Sequence, residues 1–77
     1  MRLNPDSRRA VIITAACRVA RDKGLVNVTH GAVAARCVTA TSTHTVRHYF
    51  DTKVCLWQAV IEATGTEFAE QARELGL

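Results

Sequence analysis

The sequence lacks any apolar run near the roughly 20 residues that a bilayer-spanning helix requires, so a membrane-spanning reading is excluded. It lacks paired cysteines. Cys17, Cys37 and Cys55 are odd in number and widely spaced, which argues against a disulfide framework. Each sits in an apolar context and is expected to be a reduced, small core residue in a cytoplasmic protein. No glycine-rich phosphate loop occurs, and no nucleophile, base and orienting group recur at motif spacing. The chain is therefore not expected to be an enzyme, and no cofactor is implied. There is no internal repeat and no low-complexity segment. A signal peptide is not expected, because Arg8 and Arg9 are followed by a short apolar stretch and then Arg18.

Length sets the scale of what remains. Seventy-seven residues suffice for one small domain, which buries only about 60% of its unfolded surface. Three or four helices can share one small core. Little room is left for a separate ligand-binding domain.

Charge is unevenly distributed. Residues 1–50 carry Arg2, Arg8, Arg9, Arg18, Arg21, Lys23, Arg36 and Arg47 against only Asp6 and Asp22. Residues 51–77 carry Lys53 and Arg73 against Asp51, Glu62, Glu67, Glu70 and Glu74. A basic half suits a polyanionic partner. The alternative is scattered, solvated charge.

Hydrophobic spacing predicts an all-α fold. Residues 1–6 read as a flexible N-terminal arm ending in Asn4-Pro5-Asp6, with Ser7 as the first N-cap. Residues 7–77 read as one domain. Val11, Ile12, Ala15, Ala16, Val19 and Ala20 recur at helical spacing, and Gly24 stops that helix. Thr29 caps a second helix over about 30–37, with Val28 and Val33 placed as a hydrophobic staple. A polar turn follows, and Thr41 or Ser42 can cap a third helix running over about 42–49. Val46 and Phe50 are expected in the core. His44, Thr45, Arg47 and His48 are expected to face away from it. Thr52 caps a fourth, C-terminal helix from Lys53, with Leu56, Trp57, Val60 and Ile61 on one face. Gly65 breaks or bends it.

Helices two and three, separated by a turn, have the layout of a helix-turn-helix, whose second helix enters the DNA major groove. The expected fold is thus a three-helix helix-turn-helix core plus a fourth helix. The expected partner is double-stranded DNA.

The residues resemble the DNA-binding domain of the tetracycline repressor (TetR) family. Ala15-Ala16, Val19, Gly24, Thr29 and Val33-Ala34 stand in the family's spacing, and the recognition-helix pattern reads Thr45-Val46-Arg47-His48-Tyr49-Phe50-Asp51-Thr52-Lys53. The likeness spans about Arg8 to Ile61. Three features depart from the pattern. Cys37-Val38-Thr39-Ala40 replaces the family's Ala-Gly-Val-Ser turn, and the turn is two residues longer. His44 stands where the family has a small glycine next to DNA. The family's large C-terminal domain, which binds inducers and makes the dimer, has no counterpart in the sequence, so the resemblance implies no small-molecule inducer.

Several residues could carry DNA binding. Lys53 places a cation at the positive end of a helix dipole, which is unfavourable unless a phosphate is shared between them. The resemblance implies that the Tyr49 hydroxyl also meets a phosphate. Ser42 and Thr45 carry short hydroxyls suited to phosphates or base edges, and Thr43 can do the same or cap the helix. Arg47 can donate two hydrogen bonds to guanine or can contact a phosphate. His44 and His48 are four apart, which is also the spacing of a two-histidine metal site. No further ligand is clearly placed to complete one, so no metal is expected. If both histidines meet phosphate, binding strengthens as pH falls through the histidine range.

Two function classes follow. The first is a sequence-specific DNA-binding regulator, a repressor in its simplest form. The second is a protein-interaction module using the C-terminal helix. There Trp57, Ile61, Phe68 and Leu75 approximate an alternating four-and-three spacing that could form a homodimer seam. Against this, Trp57 and Ile61 could close the domain's own core and leave Phe68 and Leu75 exposed.

Overall fold

The computed structural model describes residues 4–77. It is all-α: α1 (Pro5–Lys23), a 3-10 turn (Leu25–Asn27), α2 (His30–Arg36), α3 (Thr43–Tyr49), α4 (Lys53–Thr64) and α5 (Ala69–Glu74). The second and third expected helices keep their positions within a residue. The differences fall at the two ends.

At the start, α1 opens at Pro5, and the expectation of an arm through residue 6 is corrected. Asn4 is the N-cap, and its side chain accepts the Ser7 N–H at 2.8 Å. A proline at the first helical position has no N–H to leave unsatisfied, and Asp6 in the first turn favours the helix dipole. Ser7 is therefore inside the helix. Residues 1–3 of the expected arm lie outside the described residues.

At the other end, the expected fourth helix is two helices. The α4 ladder closes at Gly65, whose N–H donates to the Ile61 carbonyl at 2.9 Å, with a φ of 67°. A side chain at that φ would be strained. The chain then turns, and α5 packs against α4 and the 3-10 turn that follows α1.

The core collects Ile12, Val19, Leu25, Val28, Val33, Val46, Leu56 and Val60, all fully buried, with Phe50 and Phe68 beside them. α1 packs against both α2 and α4, and α2 carries α3. Val28 and Val33, the expected staple, both lie inside, and Thr29 caps α2 by accepting the Ala32 N–H.

Phe68 is 4% exposed. Its expected place at an interface is corrected: the break at Gly65 redirects the chain and turns the ring inward. Trp57, Ile61 and Leu75 are half-buried and pack against the same core. Trp57 Nε1 also donates to the Val28 carbonyl at 3.0 Å. The four residues thus close this chain's own core.

Two polar contacts lock the returning segment in place. Gln71 Oε1 accepts the Leu25 N–H at 2.7 Å. Glu67 accepts from Arg21 through both oxygens, at 2.7 and 2.9 Å. That pairing holds the Glu67 carboxyl below the ordinary carboxylate range, the Arg21 hydrogen bond being the main cause. A depressed carboxyl contributes stability above its unfolded-state pKa, and the contribution disappears as pH falls through the folded-state value. Both side chains are substantially exposed, so solvent screens the pair and the contribution is small. In acid titrations of thermal unfolding, Glu67→Gln should flatten the loss of stability below the ordinary carboxylate range. An unchanged acid limb would remove this role.

The cysteines divide. Cys17 is buried, and desolvation by burial raises its thiol pKa, which makes it inert. Cys37 is half-buried. Cys55 is exposed, and its expected place in the core is corrected: it follows the N-cap Thr52 on the solvent side of α4.

Candidate nucleic-acid interface

α3 has only seven residues, too few to be stable alone. Three contacts mount it. Ser42 is the N-cap, accepting the Thr45 N–H at 3.0 Å, and its Oγ lies 2.9 Å from Thr45 Oγ1. Behind the helix, Val46 and Phe50 are in the core. At the far end, His30 Nε2 donates to the Phe50 carbonyl at 2.7 Å. His30 is 3% exposed and is the first residue of α2. One side chain thus joins the start of α2 to the end of α3 and fixes their relative setting.

The turn between the two helices is also held. Arg8 of α1 reaches across and donates from Nη1 to the Ala40 carbonyl at 3.2 Å and to Thr41 Oγ1 at 3.0 Å. Thr41 Oγ1 in turn donates to the Thr39 carbonyl at 2.8 Å. Thr39, Ala40 and Thr41 are therefore tied to the scaffold.

The outward face of α3 carries His44, Arg47 and His48, all exposed. They share a face because they are three and four residues apart. Thr43 is also exposed, at the first helical position. Arg47 forms neither an ion pair nor a hydrogen bond among the described residues.

Beside this face lies a cleft of about 450 Å³ lined by Thr29, His30, Gly31, Arg47, Asp51, Thr52 and Lys53. It brings together two residues from the predicted set, Arg47 and Lys53. Lys53 is the first residue of the twelve-residue α4, and Thr52 caps that helix by accepting the Cys55 N–H at 3.2 Å. The cleft thus joins two cations and the positive end of a helix. The Asp51 carboxylate, on the same wall, offsets part of this charge.

The remaining predicted residues divide. Ser42 and Thr45 sit together at the opposite end of α3, their hydroxyls bonded to each other. Tyr49 is half-buried, its ring edge-on to His48 with centroids 5.4 Å apart. It lines a different groove, with Arg9 and Gln58. All eight residues lie on or beside α3, but only Arg47 and Lys53 share a cleft.

Four cations of the basic half make contacts within the fold, and two of them meet a carboxylate. Arg8 holds the turn, Arg9 lies over the Phe50 ring at 5.1 Å, Arg21 pairs with Glu67, and Arg36 pairs with Asp22. These guanidiniums are engaged by the fold. Arg2 lies outside the described residues.

His30 and Arg8 are the two mounting residues that sequence patterns miss. α2 is only two turns long, so periodicity cannot show which way its first residue points. Arg8 acts across 32 residues, with no local signal. The burial of His30 also separates it from His44 and His48. Among the described residues, no three His, Cys, Asp or Glu side chains are grouped to hold a metal ion. No described helix is long and apolar enough to cross a membrane.

No protein-family model matches this chain, and neither a curated protein nor a solved structure does.

Proposed function

We propose that the chain is a sequence-specific DNA-binding transcriptional regulator, acting in the cytoplasm as a repressor, that reads the major groove with α3. The observation carrying this reading is the shared cleft of Arg47 and Lys53 beside the exposed face of α3. A recognition helix needs outward side chains that can reach base edges and a rigid mount that fixes them. His44, Arg47 and His48 supply the first. The His30, Ser42 and Arg8 contacts supply the second. Lys53 at the start of α4 is suited to hold a phosphate.

The resemblance to the tetracycline repressor family's DNA-binding domain supports the same assignment, since Thr45, Tyr49 and Lys53 occupy positions of its motif. Ser42 and Thr45 hydroxyls, engaged with each other, retain acceptor capacity for a backbone contact. The alternative, a protein-interaction module on the C-terminal helix, loses its main anchor with the burial of Phe68.

Selection of a random duplex library at low and at physiological salt tests the proposal. Enrichment of one motif is the expected result, and a palindrome would imply a dimer with half-sites about one helical turn apart. Salt-sensitive binding without enrichment would sink specific recognition. Within the same assay Lys53→Ala should weaken binding to all sequences alike and reduce the salt slope by about one. A sequence-dependent loss would remove Lys53 from the backbone role.

A further inference from the structure

A second surface lies away from the α3 face. Val11, Thr14 and Ala15 of α1 and Val38 of the long turn line an apolar groove of about 190 Å³, with Arg18 and Arg36 also on its wall. Val38 is 75% exposed. A valine that open is unusual in a turn that Arg8 holds in place, because ordering it does not bury it. The groove is larger than the cavity of about 150 Å³ that takes benzene in another protein, so one large apolar side chain fits.

From this geometry we infer that the groove docks an acidic peptide segment of another protein, which inserts a large apolar side chain between α1 and Val38 and sets its carboxylates against Arg18. Charge decides between occupants. Of the two cations on the groove wall, Arg36 meets Asp22 and Arg18 has no carboxylate partner among the described residues. A second copy docking through the same face would bring like charges together across a two-fold axis. An acidic partner meets charge of the opposite sign, as complementary interfaces do. The inference does not depend on DNA binding, because the groove contains none of the α3 residues.

The test is selection of a displayed random peptide library on the immobilised full chain, without DNA. The enriched peptides should share a large apolar residue flanked by Asp or Glu. A synthetic copy of the leading peptide, measured by fluorescence anisotropy, should bind Val38→Asp and Arg18→Glu about tenfold or more weakly than the unaltered chain. Both positions lie at the surface, and far-UV circular dichroism checks that the variants stay folded. Absence of a consensus would overturn the inference, as would an acidic consensus without an apolar residue. Equal binding to both variants would also overturn it. Self-association of the chain that Val38→Asp abolishes would assign the groove to a second copy instead. If Val38→Asp lowers duplex affinity while peptide binding is absent, the face belongs to nucleic acid.

Discussion

Replacing His30 by alanine should lower stability by about 3 kcal/mol. The change leaves the Phe50 carbonyl without its buried donor, which costs about 1–3 kcal/mol. It also opens a cavity where the buried imidazole stood, and large-to-small core changes typically cost about 2–5 kcal/mol. The two contributions overlap, because the emptied site lets water reach the carbonyl. A chain of this size has only about 4–12 kcal/mol of stability in total. The midpoint of thermal unfolding should therefore fall by more than about 10 °C, since each kcal/mol shifts it by about 4–8 °C in domains this small. Urea or thermal denaturation followed by circular dichroism measures this directly. A second effect should accompany it: at a temperature where the variant is still folded, duplex binding should weaken, because the setting of α3 against α2 is no longer fixed. His30→Gln, whose amide can donate to the same carbonyl, should recover part of both losses. Stability unchanged in His30→Ala would show that the bond contributes nothing.

Arg47→Ala should cost about 1–3 kcal/mol of specific DNA binding and relax preference at one base pair. The structure makes this the sharper of the α3 substitutions. His44 and His48 are exposed on the same face, but a neutral imidazole offers a single donor, whereas the guanidinium offers a fork. Arg47 is also free of the engagements that occupy Arg8, Arg21 and Arg36. Comparing selected motifs for the two proteins separates the roles: loss of one base preference marks a base contact, while uniform weakening marks a phosphate contact. Folding should be unaffected, because the side chain is exposed. Unchanged affinity and an unchanged motif would exclude Arg47 from the interface.

Much of the fold was legible in the sequence. The N-caps Thr29, Ser42 and Thr52 were visible because each hydroxyl precedes an apolar helical pattern, and the core positions Val46, Phe50, Leu56 and Val60 followed from spacing. The start of α1 is not legible in sequence, since Asn4 and Ser7 are both good caps and only the hydrogen bond distinguishes them. The C-terminal error had a different cause. Trp57, Ile61, Phe68 and Leu75 satisfy a seam pattern only if the helix is continuous, and Gly65 ends it. Of the candidate site, the outward residues of α3 were readable from their opposition to Val46 and Phe50. What joins them to the rest was not. His30 and Arg8 act through space on backbone carbonyls, and no local pattern encodes such a contact.

Those carbonyl contacts make the outer face of α3 interchangeable. His30 grips the peptide oxygen of residue 50, Arg8 grips that of residue 40, and the cap lies at residue 42. None of these grips involves the side chains of Thr43, His44, Arg47 or His48. Substitutions at those four positions should therefore stay within about 0.5 kcal/mol in stability, as exposed positions usually do. A chain built this way can exchange these four outward side chains for others while the frame stands, so new surface chemistries on α3 are reachable by single steps that never pass through an unfolded intermediate sequence.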